Sequence, residues 1–196
     1  KDPVSILLSQ RRSVGFSATV VLSKILQDES CPRDKIVVRH AHNLTIRDFQ
    51  ADNHILLGSR YSNPWTELFR DKHNFLAEFD WGSRVASYRN KSPLPGEKDV
   101  YVGNVGEGEQ YSLVTYLPNL TGTGKVLIIE GTTAEGTEGA LEFLVNPSKN
   151  GKFLGNSVKW NVRSTPPYFE VLLLTKAMGG APVSTTYVTH RHISVP

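Results

Sequence analysis

Residues 54–70, HILLGSRYSNPWTELFR, limit the possible folds more than any other part of the chain. The first four form an apolar run of strand length. Gly58 ends that run, and Ser59, Arg60, Tyr61 and Ser62 make a polar loop. Asn63 before Pro64 reads as a helix start, since Asn caps well and Pro suits the first helical position. Trp65, Leu68 and Phe69 then recur at i, i+3 and i+4, the spacing of one helical face. A strand that feeds a helix through a short loop is the unit of α/β folds. Ligands bind at such loops because free N–H groups and the helix dipole favour anionic or carbonyl oxygens.

A second unit of the same logic occupies residues 125–145. KVLIIE is a continuous apolar run, as expected of a strand buried on both faces. Gly131, Thr132 and Thr133 follow, and a helix is predicted over 134–145 with Leu141, Leu144 and Val145 as its apolar face. Thr132 with Glu135 matches the capping-box pattern. If strands 54–57 and 125–130 run parallel, adjacent or one strand apart, their loops open on one sheet edge and share a crevice.

The remaining elements are shorter. A helix is predicted over 17–27, with Val20, Val21, Ile25 and Leu26 as its stripe. Residues 36–39 read as a strand that pairs parallel with 54–57 through a short right-handed crossover. Residues 44–50 read as a turn of helix. Strands are predicted at 74–80, 84–89, 99–102, 111–117, 168–175 and 183–192, with hairpin loops at 90–98 and at Gly103–Gly108. The predicted architecture is a single α/β domain over 1–196. Its central sheet is mixed, mostly parallel, Rossmann-like and flanked by helices, with a β-rich hairpin insertion in the middle. Residues 1–30 are read as the end of an upstream region.

Composition narrows the partners. Of the 196 residues, 39% are hydrophobic and 21% charged, which suits a packed core and not a disordered chain. The net charge is only +3 and the basic residues are scattered, so a nucleic-acid partner is not expected. Cys31 is the single cysteine, which rules out an intrachain disulfide and a Cys-rich zinc site. No apolar run has the length of a membrane helix, so no membrane contact is expected of this segment. The chain begins at Lys1 and reads as part of a larger protein. The sequons at Asn43, Asn90 and Asn119 are too short a pattern to carry meaning.

The chemistry-bearing residues gather on the two loops. Gly58 and Gly131 let backbone approach a ligand, Arg60 offers a bidentate contact to an anion, and Ser59, Ser62, Asn63, Thr132, Thr133 and Glu135 supply further polar groups. The competing reading is that these residues only end strands and cap helices. An enzyme, a hydrolase or transferase, would use Ser59 or the carboxylates Glu130 and Glu135, with Glu67 and Glu138 nearby in sequence. Yet Ser59 lies in no nucleophile-elbow motif, and Glu135 and Glu138 sit in a first helical turn, where a carboxylate is favoured anyway. His40 with His42, and His190 with His192, stand at strand spacing, but no third ligand accompanies either pair, so no metal site is predicted. His54 and His73 add nothing by spacing. No phosphate-cradle or dinucleotide motif is present, and no cofactor is implied.

Four blocks carry a resemblance: NHILLGSRYSNPWTELF, KHNFLAEFD, SLVTYLPNLTGTGKVLIIEGTTAEGTEGALEFL and PPYFEVLLLTKAMGG. Over residues 36–188 the chain resembles a family of soil bacteria, chiefly acidobacteria. Its members look like ligand-sensing or regulatory portions of larger proteins, and it brings no established catalytic residues. The function expected is therefore a non-catalytic sensor module for a small polar or anionic ligand. The alternatives are the enzyme above and a protein-interaction domain.

Overall fold

The computed structural model describes residues 16–27, 33–146 and 166–194, with the single positions 148, 151 and 153. The loop around Cys31 and the helix stop at Pro147 lie outside the described residues. Three α-helices are described: α1 (Phe16–Gln27), the single turn α2 (Asp48–Ala51) and α3 (Ala134–Val145). Eight strands accompany them: β1 (His54–Leu57), β2 (Phe75–Asp80), β3 (Val85–Asn90), β4 (Val100–Val102), β5 (Glu109–Pro118), β6 (Lys125–Gly131), β7 (Phe169–Met178) and β8 (Ala181–His192).

The strands make two sheets. Five form a large sheet in the order β1-β6-β5-β7-β8, and three form a small one in the order β2-β3-β4. Only β1 and β6 are parallel; the other five pairings are antiparallel. This overturns the expected helix-flanked, mostly parallel Rossmann-like α/β sheet: the fold is sheet-rich with few helices. The physical reason lies in the connections. Gly179 and Gly180 alone join β7 to β8, and residues 119–124 join β5 to β6, whereas a parallel crossover needs a dozen residues or more.

Two further expectations are corrected. Residues 36–39 form no strand and Val37 is 73% exposed, so the predicted parallel partner of β1 does not exist. Among the described residues β1 is an edge strand bonded to β6 alone. Gly103–Gly108 is not a hairpin loop, because β4 belongs to the small sheet and β5 to the large one; the segment carries the chain from one layer to the other.

The large sheet is the middle layer. On one face Val114, Ile129, Val171 and Leu173 pack under α1 and α3 through Val21, Leu141 and Phe143. Alternation of side chains sends the next residues to the other face. There Tyr111, Leu113 and Leu172 meet Phe75, Tyr88 and Tyr101 of the small sheet. Further along the same face, Leu56, Leu117, Val126 and Ile128 pack on Phe49 and Phe69. α3 approaches the sheet closely because it is small-faced. A Cβ at Gly139 would lie 2.5 Å from Thr175 Oγ1 and 2.6 Å from Thr185 Oγ1. α1 is tied to α3 by Lys24 Nζ, which reaches Glu138 at 2.6 Å and Glu142 at 2.8 Å.

The small sheet is anchored at its far end by Glu97, in the loop between β3 and β4. Its carboxylate pairs with Arg191 of β8 and accepts from Thr189 Oγ1, Leu94 N–H (2.9 Å) and Asn90 Nδ2 (2.9 Å). The guanidinium of Arg191 holds the Glu97 carboxyl well below the usual carboxylate range. The group therefore contributes stability above the ordinary glutamate pKa and loses it as pH falls toward the folded value. Glu97→Ala should cost about 3 kcal/mol in urea unfolding, the scale for stripping one partner from a mostly buried pair. It should also flatten the acid limb of the stability–pH curve; an unchanged acid limb would mean that the pair contributes nothing.

Candidate functional site

β1 and β6 are adjacent and parallel, in the register His54↔Val126 through Leu57↔Ile129. The loops that follow them therefore lie on one edge of the large sheet. Most of the expected ligand-binding groups there serve the chain's own backbone. Gly58 has φ +90° and donates its N–H to Ile129 O at 2.9 Å, which extends the ladder by one residue. Ser62 Oγ donates to Ser59 O at 3.1 Å. Asn63 accepts from Trp65 N–H and donates to Leu57 O, each at 3.3 Å. Thr132 donates through N–H (2.9 Å) and Oγ1 (3.1 Å) to Tyr111 O. Thr133, one residue later than the capping-box pattern implied, is the N-cap of α3 and accepts from Gly136 N–H at 3.3 Å. Gly131 serves packing: a Cβ there would lie 2.5 Å from Thr137 N.

Other expected groupings separate. Ser59 Oγ has no histidine or carboxylate partner among the described residues. Glu130 and Glu135 lie on opposite sides of the sheet, since Glu130 shares a face with Val126 and Ile128 while Glu135 belongs to α3. Pro64–Lys72 is a 3-10 helix, so with three residues per turn the buried pair is Thr66 and Phe69. Leu68 is 38% exposed, not on the buried face with Phe69. Trp65 is half-buried against Phe49 (5.0 Å) and donates its indole N–H to Ala41 O at 2.7 Å.

The structure instead builds a site around Glu130. This side chain is 4% exposed and forms the floor of a crevice with a cavity of about 30 Å³, room for a water molecule or two. Arg60, Arg70, His73 and Ala77 line it as well. No hydrogen-bond donor reaches the Glu130 carboxyl from any described residue. Burial, and then the nearby charge of Glu170, push its pKa up to about 8. Arg60 Nη1 (3.4 Å) and Arg70 Nε (3.6 Å) both lean on the single carboxylate of Glu67, so the crevice mouth keeps one uncompensated positive charge. Outside it lies a shallower hollow of about 370 Å³ that shares Arg60, Arg70 and Ala77.

Three neighbours complete the geometry. Glu170 is fully buried on β7 and accepts the N–H groups of Asn74 (2.7 Å) and Phe75 (3.4 Å). Burial still outweighs those bonds and raises its pKa to about 7. His73 places Nδ1 3.8 Å from Glu170, and burial lowers its pKa to about 4, so the ring is neutral near pH 7. Its Nε2 has no partner among the described residues. The third neighbour is backbone. Phe75 N–H goes to Glu170 and Phe79 N–H to Tyr61 Oη (3.1 Å), both away from β3. Alternation puts Ala77 N–H on that same free edge, at the crevice, with no acceptor among the described residues.

Of the expected ligand-binding residues only Arg60 lines the crevice, joined there by Glu130 and Glu67, which the sequence had offered as candidate catalytic carboxylates. Arg70, His73, Ala77 and Glu170 were missed. Glu170 had left a signal, as a lone carboxylate inside the apolar strand FEVLLLT. Among the described residues no group of three or more His, Cys, Asp or Glu could hold a metal, and no helix is long and apolar enough to cross a membrane. No family model, no curated protein and no solved structure matches the chain. The acidobacterial resemblance gains no support from them, and the site is read from its geometry alone.

The buried acids have a measurable consequence. A glutamate released by unfolding titrates near 4.5 and folded Glu130 near 8, so between these values the unfolded chain binds fewer protons. Stability therefore falls as pH rises through that window, and Glu170 acts in the same sense up to about 7. His73 opposes them only between about 4 and 6.5. The melting temperature should drop from pH 6.5 to 8.5, by roughly 3 °C for each kcal/mol lost. Glu130→Gln should drop visibly less, and coincident wild-type and variant curves would show that Glu130 does not titrate as a buried acid.

Proposed function

We propose that the chain is a non-catalytic ligand-binding module of a larger bacterial protein, and that it takes the anionic end of a small molecule in the Glu130 crevice. One observation carries the reading: a buried carboxyl without a donor lies beneath two arginines that share one carboxylate. The carboxyl opens to the crevice and receives no hydrogen bond from a described residue, so a ligand oxygen there can accept its proton. Arg60 and Arg70 supply the charge-assisted contacts, Ala77 N–H supplies a fixed direction, and neutral Glu130 donates to a second oxygen. The cavity admits only the head of such a ligand. The self-contained loops after β1 and β6 would suit an interaction domain equally; the open crevice beside them favours a small ligand.

Acetate and inorganic phosphate are the simplest probes. A saturating anion should raise the melting temperature by mass action. Arg60→Ala and Arg70→Ala should each weaken binding by about 1.5–3 kcal/mol, the scale of a hydrogen bond to a charged group. Ala77→Pro removes the free N–H without removing a ladder bond and should weaken binding while the sheet persists. Binding should also fade above pH 8 as Glu130 ionises. The absence of any calorimetric heat or thermal shift with either oxyanion would overturn the proposal.

A further inference from the structure

The hollow outside the crevice bears on what the anion is attached to. Phe75 and Ala77 of β2 pack into the core, but Phe79, next on the same face, meets Tyr61 at 5.9 Å and Trp81 at 4.8 Å instead. Tyr61 is exposed and Trp81 is 74% exposed, so this aromatic rim buries little surface within the chain. It is nevertheless held in place. Tyr61 Oη accepts Phe79 N–H, and the Arg60 guanidinium carbon lies 5.2 Å from the Tyr61 ring centroid. The arginine that faces the crevice is therefore stacked on the ring that faces the hollow.

The acidic side chains around the hollow are already engaged. Asp80 accepts from Gly82 N–H (2.9 Å) and Ser83 Oγ (2.6 Å), and Glu78 pairs with Arg89 at 2.6 Å. Arg89 offsets the charge of Glu78, Asp80 stays ionised, and neither carboxylate stands free to receive a set of sugar hydroxyls. On the side toward the crevice, Arg60 and Arg70 set positive charge beside the aromatic surface, in a space of about 370 Å³ that suits a small molecule.

We infer that the ligand is an oxyanion carried on a planar ring, an aryl carboxylate or aryl phosphate, with its ring in the hollow against Tyr61 and Phe79, the two aromatic residues that line it. This rests on the anion site proposed above. Edge-to-face and stacked contacts reward a flat ring over an aliphatic one of equal size. Arg60 joins the two halves of the site, because it contacts the anion while its own stack sets the height of the ring.

Calorimetry with matched probes tests the inference on the full chain: acetate against benzoate, phosphate against phenyl phosphate, and cyclohexanecarboxylate as a non-planar control. Benzoate and phenyl phosphate should bind about tenfold tighter than acetate and phosphate, the factor worth one good aromatic contact. Phe79→Leu, which keeps an apolar side chain in the hollow, should remove most of that advantage, whereas Arg60→Ala should weaken acetate and benzoate alike. Equal affinities for acetate and benzoate would overturn the ring while the anion site stood. Cyclohexanecarboxylate as tight as benzoate would overturn planarity in favour of an unspecific apolar contact. Absence of binding by all five probes would overturn the anion site and the inference together.

Discussion

Glu170 is where the two sheets meet. Its carboxyl leaves the start of β7 and accepts the N–H groups that open the small sheet, from Asn74 just before β2 and from Phe75, its first residue. Without an acceptor at that point, the start of β2 would bury unpaired backbone donors, which costs more than a hydrogen bond returns. The same contact sets where β2 lies over the large sheet, and hence which of its residues reach the core and which pass beyond it. Phe75 joins Tyr88, Tyr101 and Leu113, whereas Phe79 extends past them to Tyr61.

The crevice is a by-product of that placement. β2 crosses beside the carboxyl end of β6, so Glu130 is roofed by the edge of one sheet while it grows out of another. A charged carboxylate there would face burial and the neighbouring Glu170 at once, and neutralisation is the cheaper outcome. His73 is subject to the same burial and stays neutral by losing a proton where the acids keep theirs. Near neutral pH, Glu130 and His73 are thus uncharged, while Glu170, with its pKa raised to about 7, is part-ionised. The arginines stay outside the interior between the sheets, where water still screens them.

The opposite face follows a plainer rule. α3 packs flat on β5, β7 and β8 because Gly136, Gly139 and Ala140 present almost no side chain. Gly131 repeats the device at the strand–helix corner, where its missing Cβ leaves room for the first turn of α3. These glycines serve close packing, not ligand approach. That is why the loop after β6, which had looked like half of a binding site, is closed on itself.

Much of the local structure was legible in the residues. KVLIIE, YSLVTYL and YFEVLLLT are strands because long apolar β-rich runs fit only a sheet covered on both faces, and 134–145 is a helix with the predicted bounds. The parallel pairing of β1 with β6 also followed from two apolar strands that each enter a helix. Periodicity is silent on strand direction, and the same runs serve parallel and antiparallel sheets; the short turns before β6 and β8 settled it. Asn63-Pro64 marked a helix start, but the structure winds it as a 3-10 helix that hides Phe69 against Phe49 and turns Leu68 outward. The site was the least legible part. Arg60 could be read from its loop and Glu130 was named as a catalytic candidate, but nothing in the residues showed that Glu130 would meet the distant stretch that carries Arg70, His73 and the Ala77 N–H. Burial is a property of what lies above a residue, and only the docking of the small sheet through Glu170 put a roof over Glu130.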